Sequence, residues 1–175
     1  MFRTFDGVRF LLAAAVVLAA AALVAPDAAA ARETVRFSGY TPGTVVVKTS
    51  ERRLYYVMPD GRAMRYRVGV GKAGKAWSGS AYINGKFRSP AWSPPADVKR
   101  DNPRLPDVIP GGSPRNPMGV AALTLSGGGQ YAIHGTNVPN SVGGFVSYGC
   151  IRMLNEDVAD LFGRVFVGTP VVVER

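Results

Sequence analysis

Between Met64 and Val70 apolar and charged positions alternate: Met64, Tyr66, Val68 and Val70 are separated by Arg65, Arg67 and Gly69. A period of two puts one face on a core and the other in water, which predicts a β-strand. Thr44–Thr49 and Arg53–Met58 are dense in β-branched and aromatic residues and predict two more strands. Pro59-Asp60-Gly61 supplies turn chemistry between the second of these and the alternating segment. Ala121–Ser126 and Gln130–Ile133 predict a hairpin across Gly127-Gly128-Gly129, and Val171-Val172-Val173 a final strand. One segment has a helical period instead. Val158, Leu161, Phe162 and Val165 fall at i, i+3, i+4 and i+7 and form a single apolar stripe. Asn155 is the expected N-cap, Glu156 and Asp157 suit the positive end of the helix dipole, and Gly163 predicts an early end. The pattern predicts one mostly β domain with a short helix, with no internal repeat and no second domain.

The N-terminus follows another pattern. Arg3 and Arg9 precede an apolar run from Phe10 to Val24, and Pro26 and the small residues Ala28 to Ala31 follow. A positive start, an apolar middle and an Ala-x-Ala end predict a secretory signal peptide over residues 1–31, leaving residues 32–175 as the mature domain. The run has 15 residues, short of the roughly 20 that cross a bilayer. The balance therefore favours cleavage over a membrane anchor; contact with a membrane is expected only through this segment if it stays uncleaved. Residues 1–31 hold Arg3, Arg9, Asp6 and Asp27, so the net charge of +9 is the same with or without them.

Export changes how that charge reads. A basic cytoplasmic protein invites nucleic acid. An exported one faces anionic lipid, outer-membrane polymers or a carboxylate-bearing wall, and no nucleic acid partner is expected. The single Cys and single His rule out an internal disulfide and any zinc site built from His and Cys, which takes three or four ligands. No metal or other cofactor is expected. A lone thiol in an oxidising compartment is a liability unless buried or used. Ser89 to Pro117 holds eight of the 13 prolines and predicts a long loop; Trp92 and Val108-Ile109 suggest that part of it packs down, toward a substrate-facing wall.

The chemistry concentrates in Ile133-His-Gly-Thr-Asn137 and Ser147-Tyr-Gly-Cys-Ile-Arg-Met153, which carry the only His, His134, and the only Cys, Cys150, 16 residues apart. A nucleophilic Cys acts as thiolate and needs a base or a positive neighbour, and an imidazole can take that proton and return it to a leaving amine. Gly135, Pro139, Gly143, Gly144 and Gly149 lie between them, fitting a loop that folds back; N–H groups at Gly149 and Cys150 are expected oxyanion donors. Taken singly, a lone Cys is usually a small buried hydrophobe and a lone His a hydrogen-bonded structural residue. Together in one Gly-rich loop of an exported chain they favour a Cys–His acyl-transfer site. Neither Gly-x-Ser-x-Gly nor Ser-x-x-Lys occurs, so no serine nucleophile competes. No carboxylate pair stands out for glycoside hydrolysis.

These two segments resemble the signature of the L,D-transpeptidases, the YkuD-type (ErfK/YbiS) catalytic domain. The resemblance extends through Gly43-Thr-Val-Val-Val-Lys, Leu54-Tyr-Tyr, Tyr66-Arg-Val-Gly-Val-Gly71, Trp77-Ser-Gly, Trp92-Ser-Pro-Pro95, Asn116-Pro-Met-Gly119, Asn155-Glu-Asp-Val158 and Gly168-Thr-Pro-Val-Val172. It covers a core of about 43–174. It implies a β-sandwich or mixed-sheet domain with a short helix after the Cys, acting on peptidoglycan stem peptides. It implies Cys150 as nucleophile, His134 as base and the Gly135 carbonyl orienting the imidazole. Ser147, Tyr148, Gly149, Arg152, Asn137 and Trp92 are the expected substrate and oxyanion support. Tyr148 stands where the family often has His. The implied reaction attacks the third stem residue, commonly meso-diaminopimelate, and releases D-alanine. The acyl group then goes to an amine, giving a 3→3 cross-link or attaching an outer-membrane protein or lipoprotein. The resemblance also implies acylation by carbapenems and periplasmic residence. A hydrolase using the same pair, either an L,D-carboxypeptidase or an endopeptidase, and a non-catalytic wall-binding module remain as alternatives.

Overall fold

The computed structural model describes residues 32–127 and 130–175. The expected signal peptide, residues 1–31, and Gly128-Gly129 of the expected hairpin turn lie outside the described residues.

The two segments rich in β-branched and aromatic residues become β2 (Val45–Lys48) and β3 (Arg53–Met58), and the alternating segment supplies β4 (Arg62–Arg67), all paired antiparallel in order. The alternation to Val70 does not stay one strand, because the chain leaves β3 at Arg67 and Val70 pairs elsewhere. The turn between β3 and β4 places Asp60 at φ 62° and Gly61 at 63°, the left-handed conformation that Asp tolerates and Gly prefers. β4 also pairs with β1 (Glu33–Arg36), a short charged strand without an apolar period. The Val triplet becomes β11 (Pro170–Glu174), which lies parallel to β2 and antiparallel to β6 (Gly79–Arg88). The expected hairpin is β7 (Ala121–Leu125) with β8 (Ala132–His134), and β10 (Ile151–Arg152) joins β8 in parallel. The sheet runs β1-β4-β3-β2-β11-β6-β7-β8-β10, and β5 (Val70–Gly71) pairs with β9 (Phe145–Ser147) beside it. β6 pairs with β11 through Gly79–Tyr82 and with β7 through Ile83–Arg88, with a register shift between Ile83 and Gly85. That bulge bends the strand, and the mixed sheet curls there. The result is a mostly β domain with few helices.

Val45, Val47, Leu54, Tyr66, Ile83, Leu123, Ile133, Ile151, Met153 and Val171 form the concave core, and the stripe Val158, Leu161 and Val165 closes it. Val158 and Leu161 belong to α2 (Asn155–Arg164), and Val165 is the residue at its C-terminal cap. Two sequence expectations for α2 are corrected. Gly163 does not end it: the residue is exposed with open space around it, and the buried stripe outweighs the roughly 1 kcal/mol that an interior Gly costs. Asn155 is not the cap; Leu154 holds that position without a side-chain bond. Instead Asn155 Oδ1 accepts from the Thr136 N–H at 3.0 Å and the Val120 N–H at 3.3 Å, tying the helix start to the ends of β8 and β7.

The Pro-rich segment is not a structureless loop. It contains a one-and-a-half-turn helix, α1 (Ala96–Asp101). Trp92 and Ile109 exchange backbone hydrogen bonds of 2.9 and 2.8 Å across it. Buried Asn116 donates through Nδ2 to the Pro90 and Pro110 carbonyls and accepts from the Met118 N–H, clasping its two ends. Ile109 is buried as expected, but Val108 is 55% exposed.

Candidate active site

Strand register brings the His and the Cys together. β8 and β10 run parallel with Ile133 opposite Ile151 and His134 opposite Arg152. Ile133 and Ile151 point into the core. Because side chains alternate along a strand, His134 and Arg152 take the opposite face, and Cys150, one residue before β10, is placed on that face diagonal to His134. Cys150, His134 and Arg152 all line one cleft of about 540 Å³.

His134 is only 4% exposed. Its Nδ1 lies 2.7 Å from the Gly135 carbonyl. A carbonyl only accepts, so Nδ1 carries the hydrogen and Nε2 keeps the lone pair. Burial pushes the imidazole pKa down to about 4; the Gly135 carbonyl opposes the shift, the Arg152 charge adds to it and the Pro117 carbonyl opposes it weakly. Burial also raises the pKa of the Cys150 thiol, against smaller opposing contributions from the Ala132 backbone and the Arg152 charge. At neutral pH the resting pair is therefore a thiol and an uncharged imidazole. The thiol faces the Gln130 carbonyl at 3.7 Å.

Ser147 shapes the turn that carries the sulfur. Its buried hydroxyl donates to the Cys150 carbonyl at 2.6 Å and accepts from the Gly149 N–H at 3.1 Å. The Gly149 N–H is thus committed within the turn, leaving the Cys150 N–H as the one of the two expected donors with no acceptor among the described residues. Gly149 sits at φ 121°, and a Cβ there would stand 2.3 Å from the Tyr131 ring, so no side chain fits.

Among the described residues no carboxylate pairs with Arg152. Burial lowers its pKa, with Cys150 opposing. Nη1 donates to Ser141 Oγ at 3.0 Å, and Nε is buried with no partner among the described residues. An unpaired buried charge is expensive, so a bound anion is the natural complement.

The outer wall is the Pro-rich segment: Trp92, Pro95, Ala96, Asp97 and Val98 line the cleft. α1 is tied across it twice, by an ion pair between Lys75 and Asp97 and by the Tyr148 hydroxyl donating to Asp101 at 2.6 Å. Lys72 lies over the Tyr148 ring at 3.8 Å. Asn137 is not brought into the cleft. It lines a smaller polar hollow of about 240 Å³ and donates to the Pro114 carbonyl at 3.3 Å. Two contributors escaped the sequence reading. Trp77 donates from Nε1 to the Gly149 carbonyl at 2.8 Å and stacks on Tyr131, ring centroids 4.9 Å apart; in the sequence Trp77 figures only in a segment of the resemblance and Tyr131 only in the expected hairpin, neither with a role at the site. Among the described residues, no group of three or more His, Cys, Asp or Glu is placed to hold a metal, and no helix is long and apolar enough to cross a membrane.

Comparison with known proteins agrees with this arrangement. A family model of the YkuD L,D-transpeptidase catalytic domain matches residues 42–173. The chain is 38% identical over 136 residues to the Escherichia coli protein named Probable L,D-transpeptidase ErfK/SrfK, covering 74% of this chain and 43% of that one. It is 39% identical over 137 residues to Probable L,D-transpeptidase YbiS of Escherichia coli, covering 73% and 43%. The chain thus spans less than half the length of these curated relatives. Among solved structures, an L,D-transpeptidase from Mycobacterium smegmatis aligns with a TM-score of 0.59 at 18% identity, over 75% of this chain and 58% of that one, a likeness of fold. A Brucella melitensis structure titled a probable carnitine operon oxidoreductase aligns with a TM-score of 0.56 at 39% identity, over 82% and 93%. Gly69-Val-Gly-Lys-Ala-Gly74 has the glycine spacing of a dinucleotide fingerprint, but here it leads through a turn into β6. The fingerprint requires a helix at that point to receive a pyrophosphate. Residues 42–173 and the curved sheet around them place this chain in the YkuD family of L,D-transpeptidase catalytic domains.

Proposed function

We propose that this protein is a peptidoglycan L,D-transpeptidase in which Cys150 is the nucleophile and His134 the base. The observation that carries the reading is that Cys150, one residue before β10, and His134, on the adjoining β8, line one cleft, with His134 Nδ1 committed to the Gly135 carbonyl.

The chemistry follows from the neutral resting pair. As Sγ approaches the carbonyl of the third stem residue, meso-diaminopimelate, Nε2 takes the thiol proton. The tetrahedral oxyanion is stabilised by the Cys150 N–H. Collapse breaks the amide bond, the imidazolium gives its proton to the departing D-alanine amine, and a thioester remains. An acceptor amine attacks the thioester, Nε2 takes the amine proton, and breaking of the C–S bond releases a thiolate that recovers the proton. Arg152, which lines the cleft, supplies the cation for a substrate carboxylate. Transfer outruns hydrolysis only where the amine is held close and water is kept out, a role suited to the wall of Trp92 and α1.

The acceptor is a second stem peptide, giving a 3→3 link, or an outer-membrane protein or lipoprotein. The net charge of +9 suits an anionic envelope, and a signal peptide over residues 1–31 would deliver the protein to the periplasm. Incubation with a defined disaccharide-tetrapeptide and mass spectrometry of the products tests the proposal. Cross-linked dimer plus free D-alanine is expected. Trimmed tripeptide alone would assign an L,D-carboxypeptidase, and unchanged substrate would overturn the enzyme reading.

A further inference from the structure

We propose that Trp77 is a positioning residue that aims the oxyanion donor of the acyl-transfer site; the inference rests on the Cys150 reading above. The Gly149–Cys150 peptide is trans, as every described peptide is. In a trans peptide the C=O and the N–H point in opposite directions. Trp77 Nε1 holds the Gly149 carbonyl at 2.8 Å. The Cys150 N–H, the other end of the same rigid plane, therefore faces away from Trp77. Among the described residues no acceptor competes for it.

The remaining contacts make the aim a single one. The indole lies on Tyr131 at 4.9 Å with the rings 6° from parallel. Tyr131 fills the space where a Gly149 side chain would stand. Ser147 Oγ bonds the Gly149 N–H and the Cys150 carbonyl, the groups on either side of the held peptide. Three consecutive peptide units are pinned, and among the described residues only the indole pins the middle one. Without that bond the 149–150 plane is free to rotate, because Gly149 offers little resistance to a peptide flip. A flip would present a carbonyl oxygen where the oxyanion develops.

Two reactions of one sulfur separate this role from ordinary structural support. Acylation by a β-lactam passes through an oxyanion; alkylation by iodoacetamide is a direct displacement at carbon and passes through none. Trp77→Phe retains a ring against Tyr131 and deletes the N–H. Replacing Trp77 by benzothienylalanine keeps the bicyclic shape and puts sulfur at the N–H position. It serves as the second variant if the Phe protein folds poorly. In both, acylation of Cys150 by imipenem, followed by intact-protein mass spectrometry, is expected to fall about 10²-fold, the effect of losing one preorganised donor. Iodoacetamide alkylation is expected to stay within about 3-fold. Unchanged acylation, or equal falls in both reactions, overturns the proposal. Imipenem labelling that persists in Cys150→Ala would instead overturn the underlying assignment of the nucleophile, leaving the two failures distinguishable.

Discussion

Acid should destabilise this protein through one imidazole. His134 is buried, uncharged and held by a carbonyl at Nδ1, and its pKa is depressed from 6.5 to about 4. In the unfolded chain the ring binds a proton near pH 6.5; in the folded chain it does not until about pH 4. Between these values the unfolded state carries more protons, so stability falls as pH falls. The difference of two and a half units corresponds to about 3 kcal/mol once pH is below both values, and to about 2 kcal/mol at pH 5. Carboxylates titrate in the same window, so the test is a comparison. Urea unfolding from pH 7.5 to 4.5 is measured for the native protein and for His134→Gln, whose amide does not titrate. The native protein should lose about 2 kcal/mol more than the variant on going from pH 7.5 to 5. His134 is the only histidine in the sequence, so its imidazole proton resonance can be followed directly, with a midpoint expected near 4. Parallel stability curves for the two proteins, or a resonance titrating near 6.5, would refute a buried neutral base. Catalysis inherits the same number: the acid limb of kcat/KM should fall near pH 4 rather than 6.5, since a protonated ring takes no proton.

Cys150→Ser should lose nearly all turnover while keeping its fold, because a hydroxyl beside an otherwise unassisted imidazole is a poor nucleophile; product analysis and circular dichroism check the two halves. Gly149→Ala forces a Cβ to within 2.3 Å of the Tyr131 ring at a positive φ. It should slow imipenem acylation more than tenfold and lower stability by about 1–3 kcal/mol, read by mass spectrometry and urea melts. Leu161→Ala empties a fully buried site between α2 and the sheet and should lower unfolding free energy by about 3 kcal/mol. Tyr148→Phe removes the bond from Tyr148 to Asp101 on α1; steady-state kinetics with the disaccharide-tetrapeptide should show a raised KM.

How much of this was legible depended on whether a residue's neighbours are local. The strand over Arg53–Met58 could be read from its density of β-branched and aromatic residues, and the stripe on α2 from apolar residues at helical spacing. β6, the longest strand, was not. Its sequence Gly-Ser-Ala-Tyr-Ile-Asn-Gly-Lys-Phe-Arg buries only Ile83 fully, and what makes it a strand is hydrogen bonding to β11 and β7, which no window of sequence contains. α1 buries nothing and so leaves no periodic trace. Asn155 fitted the chemistry of a cap, yet its acceptor oxygen serves Val120 and Thr136, far away in the chain. In the cleft, His134 and Cys150 were visible because each is the only residue of its kind. Trp77 was not, because the carbonyl it holds lies 72 residues downstream.

β11 sits in the middle of the large sheet although it follows every other strand in the chain. Its neighbour β2 is among the earliest, and Thr49 reaches Glu174 across 125 residues. A sheet with its central rung supplied late cannot assemble from one end. Until residues 170–174 insert, the Val45–Lys48 strand and the β6 edge stand as open, sticky borders with no partner between them. Folding should therefore be slow for a domain of this size and all-or-none, and the catalytic turn should become reactive only when the last rung is in place.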